Sequence, residues 1–144
     1  MKRERLISDG KTCPRCNQTE KELTEAVSVL SQVLNPLKVQ VVLEREEITI
    51  DDFNKDPLRS NQIWINGRLV EDWIAGEASK TMCCDICGPN ECRAIKIGSE
   101  VYEVIPAEII IKAGLIAAYE LIKKKANESC CINKTAKTSN FDCC

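Results

Sequence analysis

The sequence has no histidine among its 144 residues, and aromatic side chains make up only 4% of it. Without imidazole, a Cys–His catalytic pair cannot form within the chain, and a zinc site must be built from cysteine, with or without carboxylate. Hydrolase chemistry of the common kinds is therefore disfavoured. Net charge is small as well: 20 basic residues against 22 acidic ones leave −2. That balance gives no general attraction to nucleic acid or to an anionic membrane surface. No apolar run is long enough to insert into a bilayer, because the stretch 109–122 is interrupted by Lys112 and Glu120. The start, Met1-Lys2-Arg3-Glu4-Arg5, has no apolar signal-peptide core, so a cytoplasmic, reducing setting is expected.

Against these absences stand ten cysteines, gathered in clusters. In a reducing compartment, such clusters point to redox work or soft-metal binding. The first is Thr12-Cys13-Pro14-Arg15-Cys16, ahead of an amphipathic helical pattern. A cysteine at a helix N-terminus meets unpaired backbone N–H groups and the positive end of the helix dipole, both of which favour a thiolate. Pro14 suits the first helical position, where its missing donor has no intrahelical partner to lose. Cys13 is expected to attack. Cys16, about one turn on, is placed to resolve a mixed disulfide or to share a metal, and Arg15 adds positive charge beside both.

The second cluster is Cys83-Cys84-Asp85-Ile86-Cys87-Gly88-Pro89-Asn90-Glu91-Cys92. Cys84 and Cys87 have the spacing of a metal knuckle, Gly88 lets the backbone turn, and Cys92 returns another thiolate. Three thiolates from Cys84, Cys87 and Cys92 suit a trigonal soft ion such as arsenite. Four, with Cys83 or a borrowed cysteine, suit zinc or an iron–sulfur cluster. The same thiols could exchange disulfides with Cys13 and Cys16, or simply pin a loop around zinc. The third set, Cys130-Cys131 and Cys143-Cys144, lies on a polar, aperiodic stretch, 127–144, expected to be a flexible tail. Tethered thiol pairs reach a high effective concentration at a site on their own chain, so these four are candidate accessory thiols.

Taken in order, residues 1–9 suggest a short strand, with Asp9-Gly10 turning into the cysteine loop. Leu23, Ala26, Val27, Leu30, Val33 and Leu34 recur at helical spacing over 17–35, and Pro36 ends that helix. Val39, Val41, Val42 and Leu43 predict a strand over 38–46. A short helix or turn is expected over 48–58. Asn66-Gly67 between apolar runs signals a hairpin, with Trp64 and Trp73 as packing residues. The cysteine-rich insert, about 75–92, precedes a second hairpin around Gly98-Ser99, and a core helix runs from Pro106 to about Ala126. This is an α/β order: one domain over 1–126, a central mixed sheet flanked by helices, and the tail 127–144.

Several of these motifs resemble known ones. TCPRC is similar to the glutaredoxin-type CPxC site. Gln62-Ile63-Trp64-Ile65-Asn66-Gly67 is similar to the strand that family enters from its cis-proline, with Asn61 standing at that groove position after Ser60. The wider pattern, from TCPRC through SNQIWING and EDW to CCxxCG, resembles an uncharacterised prokaryotic, cysteine-rich, thioredoxin-like family. Ser129-Cys130-Cys131 resembles the C-terminal cysteine pair of mercuric reductases, which hands a thiophilic ion inward. Together these resemblances imply a thioredoxin-like fold. The function expected is thiol–disulfide exchange coupled to handling of a soft metal or metalloid such as arsenic or mercury, served by a thiol reductant or redox partner protein. The alternative is a non-enzymatic thiolate protein binding a metal ion or an iron–sulfur cluster.

Overall fold

Strand β1 (Lys2–Leu6) is the strand around which the first sheet forms. Its parallel neighbour β2 (Glu44–Ile48) pairs in register from Lys2 against Glu44 to Leu6 against Ile48. On its other side β3 (Ile63–Ile65) runs antiparallel and turns into β4 (Arg68–Leu69), giving the order β2-β1-β3-β4. The sheet is mixed, and helices accompany it. The chain passes from β1 to its parallel neighbour through helix α1 (Pro14–Leu34), the crossover that a parallel pair requires. The computed structural model describes residues 1–8, 10–83, 87 and 90–132, with side chains as far as Asn127.

Helix α1 begins where the sequence places it. Cys13 is its N-cap, with extended backbone and a sulfur that accepts the Cys16 N–H, and Pro14 fills the first position. Cys16, Thr19, Leu23, Ala26, Leu30 and Leu34 recur three to four residues apart and are buried. A 3₁₀ turn at Asn35–Leu37 ends the helix, and Lys38 reverses the chain in the left-handed region at φ 57°. Helix α4 (Ala107–Ile132) packs against α1. The approach is close: a Cβ on Gly114 would stand 2.5 Å from Leu30 Cδ1.

After α2 (Ile50–Lys55) and a 3₁₀ turn (Pro57–Arg59), the chain enters β3. The Asn66-Gly67 hairpin forms, both residues taking positive φ, and leads into the short α3 (Val70–Trp73). Trp73 is buried and donates its indole N–H to Ile65 O at 3.0 Å. A second, antiparallel sheet follows, in the order β5-β6-β7 (Glu77–Met82, Glu91–Ile97, Glu100–Tyr102). Ile95 from β6 joins Leu23, Ile63, Val70 and Ile110 in one apolar core, so both sheets share it.

Three expectations are corrected. The strand over 38–46 starts later, at Glu44: Val39 and Val41 pack against Leu30, Leu34 and Ala118, and the strand is the charged run that follows. Charge complementarity offsets its poor β-propensity, through Lys2 with Glu46 at 2.6 Å, Arg5 with Glu47 at 3.3 Å and Arg45 with Glu20 at 2.7 Å. The insert is partly regular, because residues 77–82 form β5 and pair with β6. The tail boundary moves too, since α4 continues through Ile132 and carries the backbone of Cys130 and Cys131. Among the described residues, no helix is long and apolar enough to cross a membrane.

Candidate functional site

The cysteines draw together beside the main core. Cys13, Cys16, Cys87 and Cys92 are buried in one cluster with Leu6, Ile48 and Phe53, and Cys83 packs against it. Cys13 and Cys16 come from the start of α1, while Cys83 follows β5 and Cys92 lies on β6. Thr81 sits opposite Cys92 and Met82 opposite Glu91, so the β5–β6 register brings Cys83 and Cys92 side by side. They are joined in a disulfide. The sulfurs of Cys13, Cys83 and Cys87 all lie within 4.8 Å of one another, an arrangement able to hold a metal ion. Cys84, Cys143 and Cys144 lie outside the described residues, and the side chains of Cys130 and Cys131 lie beyond those described.

Arg15 fastens the CPRC turn to this hairpin. Its guanidinium donates to Met82 O at 3.0 Å, Thr81 Oγ1 at 2.8 Å and Arg93 O at 3.3 Å, and faces Glu103 at 3.7 Å. The residue between the two CPRC cysteines thus grips both strands next to the disulfide. The dithiol itself is buried: Cys13 is 2% exposed and Cys16 3%. In this arrangement the nearest redox group to the CPRC pair belongs to the same chain.

The Cys16 thiol is lowered from 9.0 to about 6. The largest cause is its hydrogen bond with the Cys13 side chain. Burial opposes it, and Ser60 Oγ at 3.6 Å and the positive charge of Arg3 reinforce it. Cys13, at the N-cap, meanwhile accepts the Cys16 backbone N–H at 3.4 Å. The Cys16 thiolate is therefore stabilised by its CPRC partner as well as by Ser60 and Arg3.

Beneath the pair runs a buried polar network. Arg3, 1% exposed, donates to Cys16 O at 2.6 Å and to Asn61 Oδ1 at 2.9 Å, and forms an ion pair with Glu20. Asn61 donates to Thr19 Oγ1 at 3.2 Å and, from its backbone, to Glu4 O at 3.0 Å. Its φ is 68°, a region that asparagine tolerates better than most residues. Among the described residues no peptide bond is cis. The structure thus places Asn61 inside the supporting network, 3% exposed.

Sequence reasoning overlooked Arg3, Glu20 and Ser60. Charged side chains near a terminus usually mark a solvated edge, and only the pairing of β1 on both sides turns Arg3 inward. The usable signal was a basic residue in the strand that leads into a buried thiol, since a buried thiolate needs a nearby positive charge or donors.

A model of a domain of unknown function, DUF2703, matches residues 2–114. The chain belongs to that family. The DUF2703 match spans β1, the CPRC turn, the disulfide hairpin and the first part of α4, and it stops before Cys130. A protein of Archaeoglobus fulgidus, described as uncharacterized, is 50% identical over 105 residues, covering 73% of this chain and 77% of its own length. No solved structure matches the chain. The DUF2703 span thus holds the whole five-cysteine cluster, and the tail thiols fall outside it.

Proposed function

We propose that this DUF2703 chain is a thioredoxin-like thiol–disulfide exchange protein whose CPRC dithiol is coupled to the handling of a soft metal or metalloid. The strand order β2-β1-β3-β4, with a CxxC motif at the N-terminus of the crossover helix, supports the thioredoxin-like reading. The observation that carries the function is the burial of the CPRC sulfurs against the Cys83–Cys92 disulfide, with Cys13 and Cys83 within 4.8 Å.

The exchange follows from that geometry. As Cys13 Sγ attacks Cys83 Sγ, its proton passes to the Cys16 thiolate. The Cys13–Cys83 bond forms, the Cys83–Cys92 bond breaks, and Cys92 leaves as a thiolate and takes up a proton. Cys16 gives up its proton, attacks Cys13 Sγ and displaces Cys83. Two electrons have moved from the CPRC dithiol to the hairpin disulfide, and an external dithiol then reduces Cys13–Cys16. A leaving pKa near 6 on Cys16 favours the reverse step too, since a more acidic thiol leaves faster.

Removing the resolving thiol should trap the intermediate. In Cys16→Ser, peptide mapping after acid quench is expected to recover a Cys13–Cys83 disulfide that the parent protein does not accumulate. If Cys83–Cys92 is the only bond found in that variant, and the parent never forms Cys13–Cys16, the exchange reading is wrong. A second reading is favoured by the near-complete burial of Cys13 and Cys16, which hinders a protein substrate. It treats the same sulfurs as plain ligands for zinc or an iron–sulfur cluster. Visible absorption from anaerobically purified protein would support the cluster form of that reading, and tightly retained zinc the other.

A further inference from the structure

We propose that reduction of the Cys83–Cys92 disulfide opens a three-thiolate site, formed by Cys13, Cys83 and Cys87, for a soft three-coordinate ion of the arsenic(III) class. The inference rests on the thiol reading above and adds its ligand set, its ion and its gate. This ligand set differs from the Cys84, Cys87 and Cys92 set that knuckle spacing suggests. It draws Cys13 from the CPRC turn and leaves Cys92 to act as the gate.

Three observations carry it. The first is distance: thiolates about 2.3 Å from a tetrahedral ion stand roughly 3.8 Å apart, so sulfurs already within 4.8 Å need to close by only about an ångström. The second is donor type. Among the described residues no histidine or carboxylate joins the group, and an all-sulfur set selects a thiophilic ion over magnesium or calcium. The third is the setting. Cys13 and Cys87 are each 2% exposed, and Leu6, Ile48 and Phe53 line the same cluster. Arsenic(III) is satisfied by the three thiolates of this group, whereas zinc would need a fourth ligand.

The disulfide sets the gate. While Cys83 is bonded to Cys92, its sulfur carries no thiolate charge and the group offers one donor too few. A phosphine with one water (leaving as the phosphine oxide), or a cellular dithiol (leaving as its disulfide), supplies two electrons and two protons, the S–S bond breaks, and two thiols result. Arsenous acid then condenses with the Cys13, Cys83 and Cys87 thiols. Three As–S bonds form, three As–O bonds break and three waters leave, with no change in the oxidation state of arsenic. Bound ion and disulfide exclude each other, so each must weaken the other by the same factor.

The test uses the full-length chain with Cys130, Cys131, Cys143 and Cys144 changed to serine and with Cys16→Ser added. This background cannot complete the exchange but keeps the three proposed ligands, so failure of the exchange reading and failure of this one are seen separately. Sodium arsenite is titrated anaerobically into the phosphine-reduced protein, with the phosphine removed, and into the disulfide form. The readouts are thiolate-to-arsenic absorption in the ultraviolet and intact mass. One arsenic per reduced chain is expected, with binding weaker in the disulfide form by on the order of 100-fold or more, the gain that one further tethered contact can give. Serine at Cys13, Cys83 or Cys87 should cost the reduced protein a similar factor, and serine at Cys84 or Cys92 should leave its affinity unchanged. Equal affinity in the two redox forms would overturn the gate. Loss of binding in Cys84→Ser or Cys92→Ser would overturn the ligand set.

Discussion

Replacing Glu71 with glutamine is expected to destabilise the protein by about 3–5 kcal/mol, the cost of leaving one charge of a buried pair uncompensated. Glu71 and Arg93 form an ion pair with both side chains 3% exposed. The pair links α3 to β6, and Arg93 also donates to Leu58 O at 3.0 Å. Glu71 Oε2 and Arg93 Nε have no hydrogen-bond partner among the described residues, so the Leu58 carbonyl and the charge of Asp56 are left to offset the guanidinium in the variant. Burial already pulls the Arg93 pKa below its ordinary value. For a chain of this size the loss corresponds to a fall in Tm of roughly 10 °C. The double variant Glu71→Met/Arg93→Met should recover most of it, because two apolar side chains of similar length remove the desolvation cost together. Arg93 follows Cys92, and its carbonyl receives Arg15, so the single variant should also loosen the hairpin over the dithiol. Faster alkylation of Cys16 in Glu71→Gln would report that loosening. A stability change under about 1 kcal/mol would show that the pair does not hold the hairpin in place.

Replacing Cys13 with alanine is expected to raise the Cys16 pKa from about 6 toward its ordinary value of 9.0. The Cys13 hydrogen bond is the largest cause of the lowered value, and burial, the next largest, pushes the other way. With the bond gone, burial is opposed only by Ser60 and the charge of Arg3. Ultraviolet thiolate absorbance, read as the difference between Cys13→Ala and its Cys16→Ser counterpart, follows the titration directly. Stability should change with pH in the matching direction. The folded value lies below the unfolded one, so the thiolate's contribution is fully present above about pH 9 and shrinks as pH falls. It is lost once pH falls through about 6. In Cys13→Ala that slope should disappear from the same window. Cys13→Ser, which keeps a side-chain acceptor at the N-cap, separates loss of the helix cap from loss of the thiol. A Cys16 titration still centred near 6 in Cys13→Ala would assign the shift to Arg3 and Ser60 instead.

The parts of this architecture that were legible in the sequence are those written in local chemistry. The CPRC turn and its helix follow from a cap, a proline and a run of apolar residues at helical spacing. The Asn66-Gly67 hairpin follows from two residues that accept positive φ. What escaped depends on partners distant in sequence. The Glu44–Ile48 strand has no apolar alternation and is specified by charged partners on β1 and by Glu20 on α1. A local propensity reading therefore chose the valine-rich segment before it. The candidate site divides the same way. Cys13 and Cys16 announce themselves by spacing, and the insert by density of thiols. The pairing of Cys83 with Cys92, the approach of Cys87 to Cys13, and the burial of Arg3 under Cys16 depend on how β1 and the β5–β6 hairpin meet α1. No pattern within a single segment records that meeting.

The central claim, that the CPRC pair and the hairpin disulfide are one exchange unit, is tested most directly by a redox titration of the full-length protein. Samples are poised in dithiol buffers, acid-quenched and mapped for disulfides. Chains that have lost one electron pair should, after the buffer dithiol is removed, keep interconverting between the Cys13–Cys16 and Cys83–Cys92 isomers at a constant free-thiol count, because exchange between them consumes no external electrons. Cys83→Ser should abolish that interconversion and shift the Cys13–Cys16 midpoint. Two independent midpoints, with Cys13–Cys16 titrating identically in the parent and in Cys83→Ser, would contradict the account.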